Sequence, residues 1–228
     1  MQNGNLYLIP CWLGETELHC ILPIGVITII HSLNEFIVEN EKSARAFLKR
    51  SGIPIAQSEL IIHEINKHDA HIDYGVFLKN CLAGKNIGLL SEAGVPAVAD
   101  PGAQLVKKAH EKNIKVVPLT GPSSILLALM ASGMNGQSFA FHGYLPKEKN
   151  ELVQKIKLLE KESQQKNQTQ IFIETPYRNN QLLTEIIKTC HDQTLLCIAS
   201  DITLKDEYIK TKSIAAWRKT PPDLNKKP

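Results

Sequence analysis

Short β-branched or leucine-rich runs recur along the first half of the chain, at residues 6–10, 26–30, 59–63, 87–90 and 114–119, with helix-like stretches between them. Alternation of this kind constrains the fold more than any other feature, because strands that are each followed by a helix build a largely parallel sheet covered by helices. Helical stretches are expected at 42–50, 72–83 and 104–111, with Gly52, Gly84 and Asn113 as their stops. The fold class is therefore α/β.

The second half carries different signals. Residues 125–131, ILLALMA, are apolar on every side, as in a helix sunk between layers, and Gly133 suits its C-terminal cap. A short strand is expected at 139–142 with a turn at 143–146. Leu152, Ile156 and Leu159 then mark one face of an amphipathic helix that fades into the polar stretch 163–168. Strands at 169–173 and 195–199 flank a helix at 179–189. The lysines of the amphipathic helix, Lys155, Lys157, Lys161 and Lys166, read first as a solvated face and second as a face for RNA. The ending, residues 220–228, is polar and proline-rich, more like a loop than the close of a domain, so a last strand is expected beyond it.

At 228 residues the chain can form two domains, each with its own core. The expected division is an N-terminal α/β domain over 1–119 and a C-terminal α/β domain over 120–228, with 140–148 as the other place for the connection. The net charge of +3 permits a polyanionic partner without requiring one. Five dispersed cysteines with no CxxC pair argue against a disulfide framework or a zinc site. The run HEINKHDAH at 63–71 is not HExxH: His63 and His68 fall on different helical faces, so no metal is expected. No signal-peptide pattern and no long apolar run is present, so a cytoplasmic protein, off the membrane, is expected.

Two loops carry the chemistry. Residues 89–102, LLSEAGVPAVADPG, follow a buried strand and precede a helix, at the carboxyl end of the strand where open α/β sheets bind ligands. Small residues there admit a ligand to the backbone. Asp100 as N-cap with Pro101 at the first helical position explains that pair, but not so long a small-residue loop. Residues 117–124, VPLTGPSS, again lead from strand to helix, and the hydroxyls of Thr120, Ser123 and Ser124 with the free amides of a helix start could bind a carboxylate, a phosphate or an adenine edge. Ser123 as a plain N-cap is the simpler reading of that residue. No GxGxxG or GxxxxGK[ST] motif occurs.

Taken together, SEAGVPAVADPG and LTGPSS, followed by FHGYLP at 141–146 and ETPYR at 174–178, resemble the tetrapyrrole (corrin/porphyrin) methylase superfamily, and within it the bacterial small-subunit ribosomal RNA 2′-O-ribose methyltransferases. The resemblance implies a class III methyltransferase of two α/β domains, usually a homodimer, that holds S-adenosylmethionine in a cleft between the domains. By position it implies that Gly94, Val95, Pro96, Val98, Thr120, Ser123 and Ser124 face the methyl donor. Tyr144 joins them near the cleft, with Glu174 and Arg178 as catalytic candidates on the substrate side. Glu174 could act as a base or position the acceptor, and Arg178 could meet a phosphate; an ion pair holding a strand-to-helix turn explains the two equally well. The chain departs from that branch after its first strand (IPCWLGE, 9–15), at Glu39-Asn-Glu41 with Arg45, at His63-Glu-Ile-Asn66 and at Glu92. The expected activity is methyl transfer to RNA or to a tetrapyrrole-like small molecule. A catalytically silent paralogue that binds the cofactor or a nucleic acid, and a phosphate-binding enzyme using 120–124, are the competing readings.

Overall fold

In the computed structural model, residues 2–65 and 73–228 are described. The chain forms two units, Met1–Ser123 and Ser124–Pro228. The first is built on five parallel strands, β1 (Asn5–Ile9), β2 (Glu35–Val38), β3 (Ile61–Glu64), β4 (Ile87–Leu90) and β5 (Lys115–Pro118), in the order β3-β2-β4-β1-β5. Strands β2 and β4 are buried at every position, as inner strands covered on both faces must be. Alternation along them feeds two cores. Phe36 and Val38 pack with Ile9, Phe47 and Leu48 on one face, while Ile37 packs with Leu6, Leu89 and Leu105 on the other.

The first core is covered by α1 (Ile24–His31) and α2 (Glu41–Arg50), and the second by α3 (Tyr74–Phe77), α4 (Lys79–Leu82) and α5 (Ala103–Glu111). Residues 26–30, strand-like by their β-branched content, lie inside α1. Val26 and Ile30, one turn apart, are both buried in the first core, and that packing overrides the local preference. The helix expected over 72–83 is two short helices broken at Leu78; Ile72, Asn66 and His68 lie outside the described residues. The expected stops hold: Gly52, Gly84 and Asn113 each follow a helix in the left-handed conformation.

The second unit contains α6 (Ser124–Ser132), β6 (Phe139–Tyr144), α7 (Lys149–Lys166), β7 (Thr169–Ile173), α8 (Asn179–Thr189), β8 (Leu195–Ser200), β9 (Tyr208–Ser213) and α9 (Ile214–Lys219). Strands β6 and β7 pair in parallel, and β8 and β9 form an antiparallel hairpin. Leu152, Ile156 and Leu159 of α7 are buried with Leu182, Ile186 and Ile214. Trp217 is fully buried beside Leu183, Ile198 and Leu224, and its indole N–H donates to the Leu196 carbonyl at 2.9 Å. Helix α6 is not sunk as its composition suggests: only Ser132 is buried, and Met130 is 78% exposed. An apolar face shows that a helix can be covered, not that its own unit covers it. Residues 220–228 are irregular, but Leu224 anchors them in the core. No helix among the described residues is long and apolar enough to cross a membrane.

Candidate functional site

All five strands of the first unit run in one direction, so the segments after β1, β4 and β5 leave the same edge of the sheet. The β4–α5 loop is tied to the segment after β1 by a two-bond bridge. Cys11 N–H donates to the Gly94 carbonyl at 2.8 Å and Gly94 N–H returns a bond to the Cys11 carbonyl at 3.2 Å. Ser91 Oγ donates to the same Gly94 carbonyl at 2.8 Å. Burial pushes the Cys11 thiol far above its ordinary range, and the nearby carboxylates Asp100 and Glu39 add to this, against an opposing hydrogen bond with Ser91. That thiol stays protonated and serves as packing. Cys11 lies far from Gly94 in sequence, and no pattern of residues signals the bridge.

The loop itself is conformationally costly. Gly94, Ala97, Ala99 and Gly102 all have positive φ, and for the two alanines that geometry is a penalty of roughly 1–2 kcal/mol each. Backbone strain of this kind clusters at functional segments. Helix α5 begins at Ala103 with Gly102, at φ 126°, in the cap position, so Asp100 and Pro101 belong to the loop rather than to the helix start. Gly94 and Pro96 are buried, Val95 is half-buried, and Val98 projects with 49% of its surface exposed. In the β5–α6 loop Thr120 is exposed, Ser123 buried and Ser124 half-buried at the first position of α6. Gly121 is fixed by packing, since a Cβ there would lie 2.4 Å from Pro10 Cβ. The β5–α6 loop is thereby pressed onto the end of β1.

The donor set fits the S-adenosylmethionine that the motifs imply. A projecting valine and small residues suit a purine and a thioether chain, and hydroxyls with helix-start amides suit ribose hydroxyls and a carboxylate.

In the second unit, the ends of β6 and β7 gather the other expected residues. The β6–β7 register shifts between Phe141 and Tyr144, with Gly143 at φ 64°, and Tyr144 emerges 59% exposed. One residue past β7, the Glu174 side chain is only 4% accessible. Its Oε1 accepts from the Thr175 N–H at 2.7 Å, and its Oε2 lies 3.2 Å from Arg178 Nη2. Arg178 Nη2 also donates to the Pro146 carbonyl at 3.2 Å, so the guanidinium laces the end of β7 to the segment after β6. Tyr177 stands outside this pair, 84% exposed.

The segments that depart from the expected motifs hold structural posts. Asn40 caps α2, accepting from the Ser43 N–H at 3.0 Å, and Glu64 accepts from the Glu41 N–H at 3.0 Å. Arg45 pairs with Glu41 at 2.7 Å. His63 meets the buried Glu35 at 2.9 Å, and Asn80 donates to the same carboxylate. Among the described residues no group of three or more His, Cys, Asp or Glu could hold a metal.

Residues 34–216 match the family model described as Tetrapyrrole (Corrin/Porphyrin) Methylases. The ribosomal RNA small subunit methyltransferase I of Buchnera aphidicola subsp. Schizaphis graminum is 31% identical over 221 residues, covering 96% of this chain and 73% of that protein. The Bacillus subtilis protein of the same name is 31% identical over 209 residues, covering 91% of this chain and 67% of that one. Among solved structures, the methyltransferase CobJ aligns with a TM-score of 0.61 at 16% identity, over 97% of this chain and 90% of its own. The cobalt precorrin-4 methyltransferase CbiF aligns at 0.59 and 13% identity, over 94% of this chain and 87% of its own. At such identities these two support the fold and nothing finer. The chain belongs to the tetrapyrrole (corrin/porphyrin) methylase family, in its ribosomal RNA small-subunit methyltransferase branch, and is a methyltransferase whose methyl donor is S-adenosylmethionine.

Proposed function

We propose that this chain methylates RNA of the small ribosomal subunit at a ribose 2′-hydroxyl, in the cytoplasm and as a homodimer. The observation that carries the reading is its likeness to ribosomal RNA small subunit methyltransferases along nearly its whole length. Gly94, Val95, Pro96, Val98, Thr120, Ser123, Ser124 and Tyr144 would hold the donor. When bound, the donor supplies a methyl group on a cationic sulfur.

The chain's own residues then have to bind and orient the acceptor, where well-aligned reacting groups contribute most of the rate. Glu174 and Arg178 act in this reading as a positioning pair. The carboxylate is occupied by its own turn and fixes the guanidinium, whose remaining N–H groups can meet a phosphate oxygen. Exposed Tyr144 and Tyr177 offer faces on which bases stack.

The test is transfer from tritiated donor to small ribosomal subunits that lack the modification. Label should enter the RNA and leave one phosphodiester resistant to alkali, because a methylated 2′-oxygen cannot attack its neighbouring phosphate. Label released in an alkali-sensitive nucleotide would point to a base as acceptor and sink the ribose assignment. Label only in a tetrapyrrole supplied alongside would sink the RNA reading.

A further inference from the structure

The excess positive charge of the chain belongs to one unit. Residues 124–228 hold 15 Lys and Arg against 11 Asp and Glu, whereas residues 1–123 hold 11 against 12. Within the second unit, a groove of about 400 Å³ runs between α8 and the segment that follows α9. That volume falls in the range of small-ligand pockets, roughly 300–1,000 Å³. Leu183 and Ile187 contribute apolar surface from α8, Pro221 and Pro222 face them from the C-terminal segment, and Thr184 and Lys188 follow one another a helical turn apart along the α8 wall.

The groove is preorganised. Asn180 donates to Asp223 Oδ1 at 2.7 Å and accepts from the Leu224 N–H at 2.8 Å, while Asn179 donates to the Lys227 carbonyl at 2.6 Å. These bonds and the buried Leu224 hold the two prolines against α8. At the other end Arg218 is fixed by the carbonyls of Ile187 and Cys190, each 3.0 Å away, and pairs with Asp192. Lys188, by contrast, is exposed and has no carboxylate partner among the described residues.

From this we infer that the α8 groove, in the second unit and with a lining that includes none of the residues assigned to donor and acceptor, is an accessory site for single-stranded RNA of the substrate. The inference rests on the RNA reading above. Apolar and proline surfaces pack against unstacked bases, as apolar side chains do where bases leave a helix, and a free lysine beside them meets the backbone. An acidic peptide would share both the lysine and the apolar surfaces, and it is the RNA reading above that favours the strand. The site's contribution is to affinity for the substrate strand, with no part in the methyl transfer itself.

The experiment uses the full chain and a fluorescent single-stranded oligoribonucleotide of mixed sequence, read by anisotropy at several salt concentrations. Lys188→Glu should weaken binding about tenfold and reduce the salt slope by about one, the signature of one lost phosphate contact. Affinity for S-adenosylmethionine, measured by calorimetry, should not change. Lys115→Glu, the same charge change on an exposed residue of the first unit, should have a clearly smaller effect. Cross-linking with 4-thiouridine RNA should mark peptides from α8 or residues 220–224. Equal losses for Lys188→Glu and Lys115→Glu, cross-links confined elsewhere, or unchanged RNA affinity with displacement of a bound polyglutamate probe would each overturn the groove. Wild-type transfer to ribosomal RNA with an unaltered KM in Lys188→Glu would overturn it while leaving the function standing. Failure of the wild type to bind or methylate RNA would overturn both.

Discussion

Gly121 leaves no room for a side chain, since an added Cβ would meet Pro10 Cβ at 2.4 Å, Pro10 Cγ at 2.5 Å and Leu22 Cδ2 at 3.0 Å. Gly121→Ala must therefore shift the β5–α6 loop or the end of β1, an overpacking cost of about 2–3 kcal/mol. Chemical denaturation should show that loss, together with weaker donor binding, because the displaced loop carries Thr120 and Ser123. A mutant of full stability would mean the loop is free to move. The Glu174–Arg178 pair gives a different kind of test. Removing the arginine strands a carboxylate that is 4% accessible, at a cost of about 3 kcal/mol, whereas Glu174→Gln removes the charge that burial penalises and still accepts from the Thr175 N–H. Arg178→Ala should thus be the more damaging single change, and Arg178→Ala with Glu174→Gln should recover part of the loss. If the two singles cost the same and add in the double, the pair is not coupled in the way its geometry states.

Among the elements, α2 shows how far local sequence specifies structure. Its N-cap is the Asn40 side chain on the Ser43 amide, so Asn40→Ala should cost about 1 kcal/mol in thermal or urea unfolding, while Asn40→Asp should be nearly neutral. Elements with a stop signal or a clear apolar period were legible in this way: α2 and α5 end before Gly52 and Asn113 in the left-handed turn, and α7 carries the buried spacing Leu152, Ile156 and Leu159. The strands β1, β3, β4 and β5 follow from short apolar runs. Legibility failed where tertiary packing outvoted composition. The β-branched run at 26–30 became α1 because its i, i+4 pair faces a core, and β2 was hidden by Glu35, a buried carboxylate that meets His63 and Asn80. The hairpin strand β9 and helix α9 were missed, although Ser213 caps α9 by accepting from the Ala216 N–H at 3.3 Å. At the site, both strand-to-helix loops were visible as runs of small residues and hydroxyls. The Cys11–Gly94 bridge and the lacing of Arg178 to Pro146 were not, since backbone contacts between distant segments leave no mark on residue type.

At the scale of the whole molecule, three buried thiols couple stability to pH in both units. Burial, with the nearby Glu35 charge, pushes Cys81 up to about 11, and burial with the charge and hydrogen bond of Glu160 pushes Cys190 up to about 12. Burial drives Cys11 higher still. In each case the folded chain holds a proton that the unfolded chain releases near its ordinary thiol value of 9.0. The folded state therefore binds more protons above that value, and stability falls as pH rises. The contribution is complete below about pH 9 and is lost between there and the folded values. Hydrogen exchange resolves the units, with β4 amides reporting on the first and α8 amides on the second. Protection should be level through neutral pH, once corrected for intrinsic exchange, and should decline in both elements above about pH 9. Cys81→Ala should lessen the decline in β4 alone, with Cys11 carrying the rest, and Cys190→Ala should flatten the decline in α8 alone, because Cys81 packs in the core of the first unit and Cys190 in that of the second. Identical alkaline slopes in the wild type and both variants would show that other groups govern the loss, and that the buried thiols titrate alike in the folded and unfolded chain.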